Sequence, residues 1–95
     1  MFVRLGSFAV KPGEMGALRA TYNSVCVPIV RAAEGNIDCF LLEPVEPSEV
    51  IACTMWRDEE DAVRYESSGK AAEVVAKVRP HFAGPPKLTA YRVVR

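Results

Sequence analysis

The sequence is poor in the residues that hold metals. A single histidine, His81, stands among 95 residues, and the three cysteines, Cys26, Cys39 and Cys53, form no CxxC pair. No zinc-type ligand cluster can be built from that set, so no bound metal is expected. An odd number of thiols excludes a fully paired disulfide framework. Cys39 and Cys53 lie in apolar, strand-like runs, which reads as buried reduced thiols in a reducing compartment, the cytoplasm. Net charge is missing as well: 12 basic and 12 acidic residues cancel, and neither end carries a run of one sign. Such a chain has no field to draw it to nucleic acid or anionic lipid. No apolar run approaches the roughly 20 residues that span a bilayer. The start, Met1-Phe2-Val3-Arg4-Leu5, lacks the long apolar core and cleavage site of a signal peptide. Internal repeats and low-complexity segments are absent.

What is present is apolar content, 49% of the residues. In a chain this short, residues 1–95 form one domain with a thin core of its own. The surplus implies that some apolar surface is buried against a partner. Phe2 to Val10 reads as a first strand, broken by Lys11-Pro12-Gly13. A helix is predicted from Glu14 to Ala33, with Met15, Leu18, Tyr22, Val25 and Ile29 as its apolar stripe. Pro28 removes a backbone donor late in that helix and should kink it or tighten its last turns. Gly35 ends it.

Asn36 to Pro44 reads as a second strand, with Ile37, Cys39 and Leu41 on one face and Phe40 and Leu42 on the other. After a turn at Pro44–Ser48 comes a third strand, Glu49 to Arg57. It places Val50, Ala52 and Trp56 on one face and Ile51, Cys53 and Met55 on the other. Asp58 is a plausible N-cap, followed by acids that suit the positive end of the helix dipole. Asp58 to Asp61 read as a capped, solvated turn rather than a metal site, because consecutive helix positions point around the axis. The helix runs to about Glu66, is interrupted at Ser67-Ser68-Gly69, and a second continues from Ala71 to Val78. His81 to Lys87 is a Pro/Gly-rich loop, and Leu88 to Val94 a last strand.

The order β-α-β-β-α-(α)-β is that of an α+β, ferredoxin-like split βαβ fold with a four-stranded antiparallel sheet. Its helices cover one sheet face. Central strands that are apolar on both faces leave the other uncovered, and a homodimer through the open faces is the natural solution.

Lys11-Pro12-Gly13 before the first helix, Pro28 and Gly35 near its end, Trp56 closing the third strand and the final strand resemble, in that order, the antibiotic biosynthesis monooxygenase (ABM) domain. The resemblance implies a dimeric α/β barrel with a pocket between the sheet and helices of each subunit. It also implies oxidation of phenolic or anthrone-like molecules by molecular oxygen without a bound cofactor. Other members cleave heme, and others act on small quorum-signal carbonyl compounds. The chain departs from the pattern in places. Tyr65 and Lys70 stand where many members carry histidine. Gly6 stands where the heme-cleaving branch has an asparagine, and Val75 near that branch's histidine. Heme cleavage is therefore not expected.

Three residues are candidates for the pocket. Trp56 either stacks on an aromatic ligand or packs the strand end. Tyr65 either donates to a phenolate or carbonyl oxygen or sits half-buried on its helix. His81, the only side chain whose ordinary pKa suits proton transfer near neutrality, either takes a proton or bonds within its loop. If the chain is an enzyme, the three should converge on one cavity. Tyr22 belongs to the core stripe, with a hydroxyl that can reach the cavity. Arg4 pairs with an acid at the rim or meets an anionic ligand. Two functions stay open: a cofactor-independent monooxygenase of a small aromatic or quinol-like molecule, and a non-catalytic dimeric ligand-binding or interaction protein of the same fold.

Overall fold

The computed structural model describes all residues, 1–95. Four strands, β1 (Phe2–Phe8), β2 (Asn36–Leu42), β3 (Val50–Trp56) and β4 (Lys87–Arg92), form one sheet in the order β2-β3-β1-β4. Every pairing is antiparallel. The helices are α1 (Met15–Thr21), α2 (Val27–Arg31), α3 (Glu59–Ser67) and α4 (Lys70–Val78), with a 3-10 turn at Arg79–His81. This is the ferredoxin-like arrangement predicted above. No helix is long and apolar enough to cross a membrane.

Strand alternation splits the sheet into two faces. Phe2, Phe8, Val50, Trp56 and Cys39 share one core with Leu18, Tyr22, Val30, Tyr65, Val74 and Val78 of the helical layer. Cys53 is buried but stands outside that core. Its cross-strand neighbours are Leu5 and Phe40 on the opposite face. Leu42 and Tyr91 extend that face and are about half exposed. The two-sided apolar pattern of the central strands is thus real, and no helix of this chain covers its second side.

Four local expectations are corrected. The first helix is not one continuous α-helix, because Tyr22–Cys26 form a π-helical turn between α1 and α2. Pro28 has no N–H to offer the carbonyl of Ser24, so the turn before it opens rather than tightens, and Val27 N–H donates to Tyr22 O. The wider turn rotates the buried stripe. It continues from Tyr22 to Cys26 and Val30, while Val25 is 37% exposed and Ile29 packs only at the edge. In β2, the register slips between Asn36 and Asp38, leaving Ile37 as the extra residue of a bulge and 47% exposed. β4 ends at Arg92, short of Val94, and all its residues are exposed.

The fourth correction concerns the acids after Trp56. Asp58 does cap α3, accepting from Asp61 N at 3.2 Å. Asp61, however, is not solvated: its side chain is 4% exposed. It accepts from Arg64 Nη1 at 2.9 Å and from Arg57 Nε and Nη2 at 3.3 Å. Those bonds, Arg57 first, hold its carboxyl below the usual carboxylate range. A lowered folded pKa means that this stabilisation is complete above the unfolded value near 3.8 and is lost as pH falls through the folded one. Asp61 lies against Gly35, whose φ of +83° sets the turn from α2 into β2.

Candidate functional site

Small residues create the space between sheet and helices. Gly6 on β1 pairs with Ala52 on β3, and both stand in the floor of a cavity of about 420 Å³ beneath Ala71 of α4. A Cβ on Gly6 would come within 3.3 Å of Leu88 Cδ2, so that exposed side chain would have to give by a few tenths of an ångström. One end of the cavity is walled by Phe8, Phe82, Val78 and Leu88, with the rings of Phe8 and Phe82 only 4.1 Å apart. The other end holds Trp56, Tyr65, Thr54, Arg4 and Glu66.

Two of the three sequence candidates meet there. Trp56 is buried by its strand-end position opposite Phe2. Its indole Nε1–H donates to Thr54 Oγ1 at 2.9 Å, a same-face neighbour two residues back. The short link into α3 brings Tyr65 over it, with ring centroids 5.0 Å apart and planes tilted by 35°. Tyr22 enters the same cavity from the π-turn. Burial pushes the phenol pKa of both tyrosines well above its ordinary value, with nearby thiols adding to the effect. At neutral pH they are protonated donors and not bases.

His81 does not join them. Its Nδ1 lies 2.8 Å from Glu14 Oε1, and its backbone carbonyl accepts from Lys11 N at 2.9 Å. Phe82 turns into the cavity wall; the histidine before it does not. Trp56 pairs with Phe2, whereas His81 sits past Phe8, where Val10 bridges to Phe82. Roughly 20 Å of strand separates those ends.

Arg4 finds an acid, as the sequence suggested, but in the cavity wall. Its Nη2 donates to Glu66 Oε1 at 2.8 Å. Nε is only 2.7 Å from Oε2, yet its N–H is not aimed at that oxygen and it is left buried without an acceptor. The guanidinium also stands over the Phe2 ring, 5.4 Å from its centroid. Sequence reasoning missed Glu66, Thr54 and the floor of Gly6 and Ala52. Period-two alternation from Trp56 would have flagged Thr54; nothing local marks Glu66.

The family model for antibiotic biosynthesis monooxygenases matches residues 1–77. The chain belongs to the antibiotic biosynthesis monooxygenase family. Solved ABM-like structures share its fold over nearly the whole length. ActVA-Orf6 of Streptomyces coelicolor, a monooxygenase solved with the ligand nanaomycin D, has a TM-score of 0.83 at 19% identity, covering 99% of this chain and 88% of that one. A mutant of MhuD with two manganese protoporphyrin IX molecules per active site has a TM-score of 0.82 at 22% identity, covering 100% and 96%. Rv0793 from Mycobacterium tuberculosis has a TM-score of 0.78 at 19% identity, covering 99% and 95%. Among curated proteins no relative matches. At such identities the likeness establishes the fold and leaves the substrate to the site itself.

Proposed function

We propose that this ABM protein is a cofactor-independent monooxygenase that oxidises a small aromatic or quinol-like molecule in the cavity between sheet and helices. The observation that carries the proposal is the cavity itself: an apolar slot of about 420 Å³ with Trp56, protonated tyrosines and one charged pair gathered at one end. An electron-rich phenol or anthrone, once it loses a proton, reduces oxygen directly. For an anthrone the balance is one methylene plus one dioxygen giving one carbonyl and one water. The protein needs to exclude water, orient the ring and supply hydrogen bonds. Trp56 gives a flat apolar surface, and Tyr65 and Tyr22 give donors for the oxygen that gains charge. Heme is a poor match: the wall holds no histidine, and Gly6 and Val75 stand in it where the heme-cleaving branch has asparagine and histidine.

A second function keeps one observation in its favour. His81, the residue best suited to proton transfer, is held by Glu14 outside the wall. A non-catalytic ligand-binding protein of the same fold needs no such group. Oxygen uptake with a panel of anthrones and hydroquinones separates the two, alongside quenching of Trp56 fluorescence by the same compounds. Oxidation is expected to consume one dioxygen per anthrone. Quenching without uptake would leave a binding protein.

We propose further that the protein is a homodimer joined through the open sheet face, and that it works in the cytoplasm. Val3, Leu5, Phe40, Ile51 and Met55 lie on that face and are only partly covered within one chain. An apolar face of this extent calls for a partner, and a second copy offers an identical one. Three free, buried thiols suit a reducing compartment. Light scattering at micromolar concentration is expected to give twice the chain mass of 10.4 kDa; a monomer would sink the dimer.

A further inference from the structure

We infer that the Arg4–Glu66 pair selects an uncharged phenolic hydroxyl, and that Glu66 accepts its proton when the phenol is oxidised. The second part rests on the oxidation proposed above; the first concerns binding alone.

The cavity has one charged pole. Arg4, Glu66, Tyr22 and Tyr65 are the titratable groups in its wall. The opposite end, between Phe8, Phe82 and Val78, is apolar. A flat aromatic body therefore lies with its ring toward the phenylalanines and its polar group toward the pair. The pair is electrically neutral, which decides what that group can be. A carboxylate brought to Arg4 meets Glu66 beside it and is repelled. A methyl ether brings no donor for the carboxylate. A hydroxyl donates to a Glu66 oxygen and accepts from a guanidinium N–H, so both charges keep a partner. Both glutamate oxygens face Arg4, at 2.8 Å and 2.7 Å, and each retains a further lone pair. Neither side chain is sealed: their exposures are 28% and 37%.

The same pair handles the proton without changing the charge of the site. The phenolic O–H bond breaks, an O–H bond forms on Glu66, and the phenolate takes the carboxylate's place beside Arg4. One cation and one anion stand there before and after, so neither charge is left without a partner. No other wall residue can serve. Tyr22 and Tyr65 are held protonated by burial. His81 is engaged by Glu14 outside the cavity.

The test uses the intact protein and three matched probes: 2-naphthol, 2-methoxynaphthalene and 2-naphthoate. Binding is read by quenching of the lone tryptophan, and thermal melts confirm that each variant is folded. The wild type is expected to bind 2-naphthol about tenfold tighter than either other probe, the effect of one well-made polar contact. Glu66→Gln leaves Arg4 uncompensated, so 2-naphthoate should then bind tighter than 2-naphthol. Arg4→Met leaves Glu66 in want of a donor, so the preference for 2-naphthol over its ether should persist while 2-naphthoate is rejected more strongly. A wild type that prefers naphthoate, does not distinguish naphthol from its ether, or binds none of the three overturns the selection. So does a Glu66→Gln variant with unchanged preferences. Oxygen uptake with 1,4-naphthohydroquinone, whose acidic proton is phenolic, checks the proton role, with Glu66→Gln expected to be at least about 100-fold slower at similar KM. Uptake unchanged in Glu66→Gln removes that role while the oxidation stands. Selection of naphthol without any uptake shows instead that the oxidation has failed and the selection holds.

Discussion

Gly35→Ala is expected to destabilise the protein by more than about 3 kcal/mol, or to prevent folding. Two costs combine at this position. The φ of +83° belongs to the left-handed region, which penalises any side chain by about 1–2 kcal/mol. The new Cβ would also stand 2.1 Å from Asp61 Cγ, which cannot be tolerated without movement. Asp61 has little room to yield. Its backbone lies in the first turn of α3, capped by Asp58, and its carboxylate is clamped by Arg57 and Arg64. Moving it away would also strain the bond from Arg57 N to Gly35 O, 2.9 Å long, which ties the end of β3 to the turn. Gly13→Ala is the internal control. Its φ is +78°, but nothing lies within 4 Å of the added Cβ, so only the backbone cost applies. Urea unfolding of both variants checks the difference. Equal destabilisation of the two would show that Asp61 gives way freely.

Trp56→Ala is expected to cost about 3–5 kcal/mol and to abolish binding of flat aromatic probes. The ring is almost wholly buried, opposite Phe2 on β1 and Asn36 on β2, with Tyr65 packed on it at 5.0 Å. Truncation opens a hole that β1, β2 and α3 cannot all close. It also leaves Thr54 Oγ1 without its indole donor. Trp56→Phe is the informative companion, because it keeps an aromatic face but not the N–H, and should retain most of the stability. The unfolding should be followed by circular dichroism, since the chain has no other tryptophan. A loss below about 1 kcal/mol would mean that Trp56 is peripheral to the core.

Both sites show what could be read from the linear order of residues and what could not. Strand alternation was legible because it depends on nearest neighbours: the split of β3 into Val50, Ala52 and Trp56 against Ile51, Cys53 and Met55 is found in the fold. The meeting of Trp56 and Tyr65 was also within reach, because a short link joins their elements. The helical stripe was legible only as far as Tyr22. Beyond it the phase depended on how the chain answered the missing donor of Pro28, and opening a π-turn put Cys26 and Val30 in the positions assigned to Val25 and Ile29. Asp61 read as solvated because its burial is imposed by Gly35, 26 positions earlier and far from it in sequence pattern. The pairing of Arg4 with Glu66 spans 62 positions and leaves no local trace. His81 carried the right chemistry, but whether a loop histidine faces a cavity or a neighbouring glutamate is decided by packing alone.

The strand order has a consequence for how the chain is made. β1 is an inner strand, bonded on one side to β3 and on the other to β4, both of which follow it in the chain. Its partners are Trp56 to Val50 on one side and Arg92 to Lys87 on the other. β1 must therefore wait, unpaired, until these later segments have been made. The last pairing cannot form until residues 87–92 have emerged. During that interval an apolar strand with two open edges is exposed to other nascent chains, and closure over such long sequence separations is intrinsically slow. A chain stalled before Lys87 carries a sheet that lacks its fourth strand.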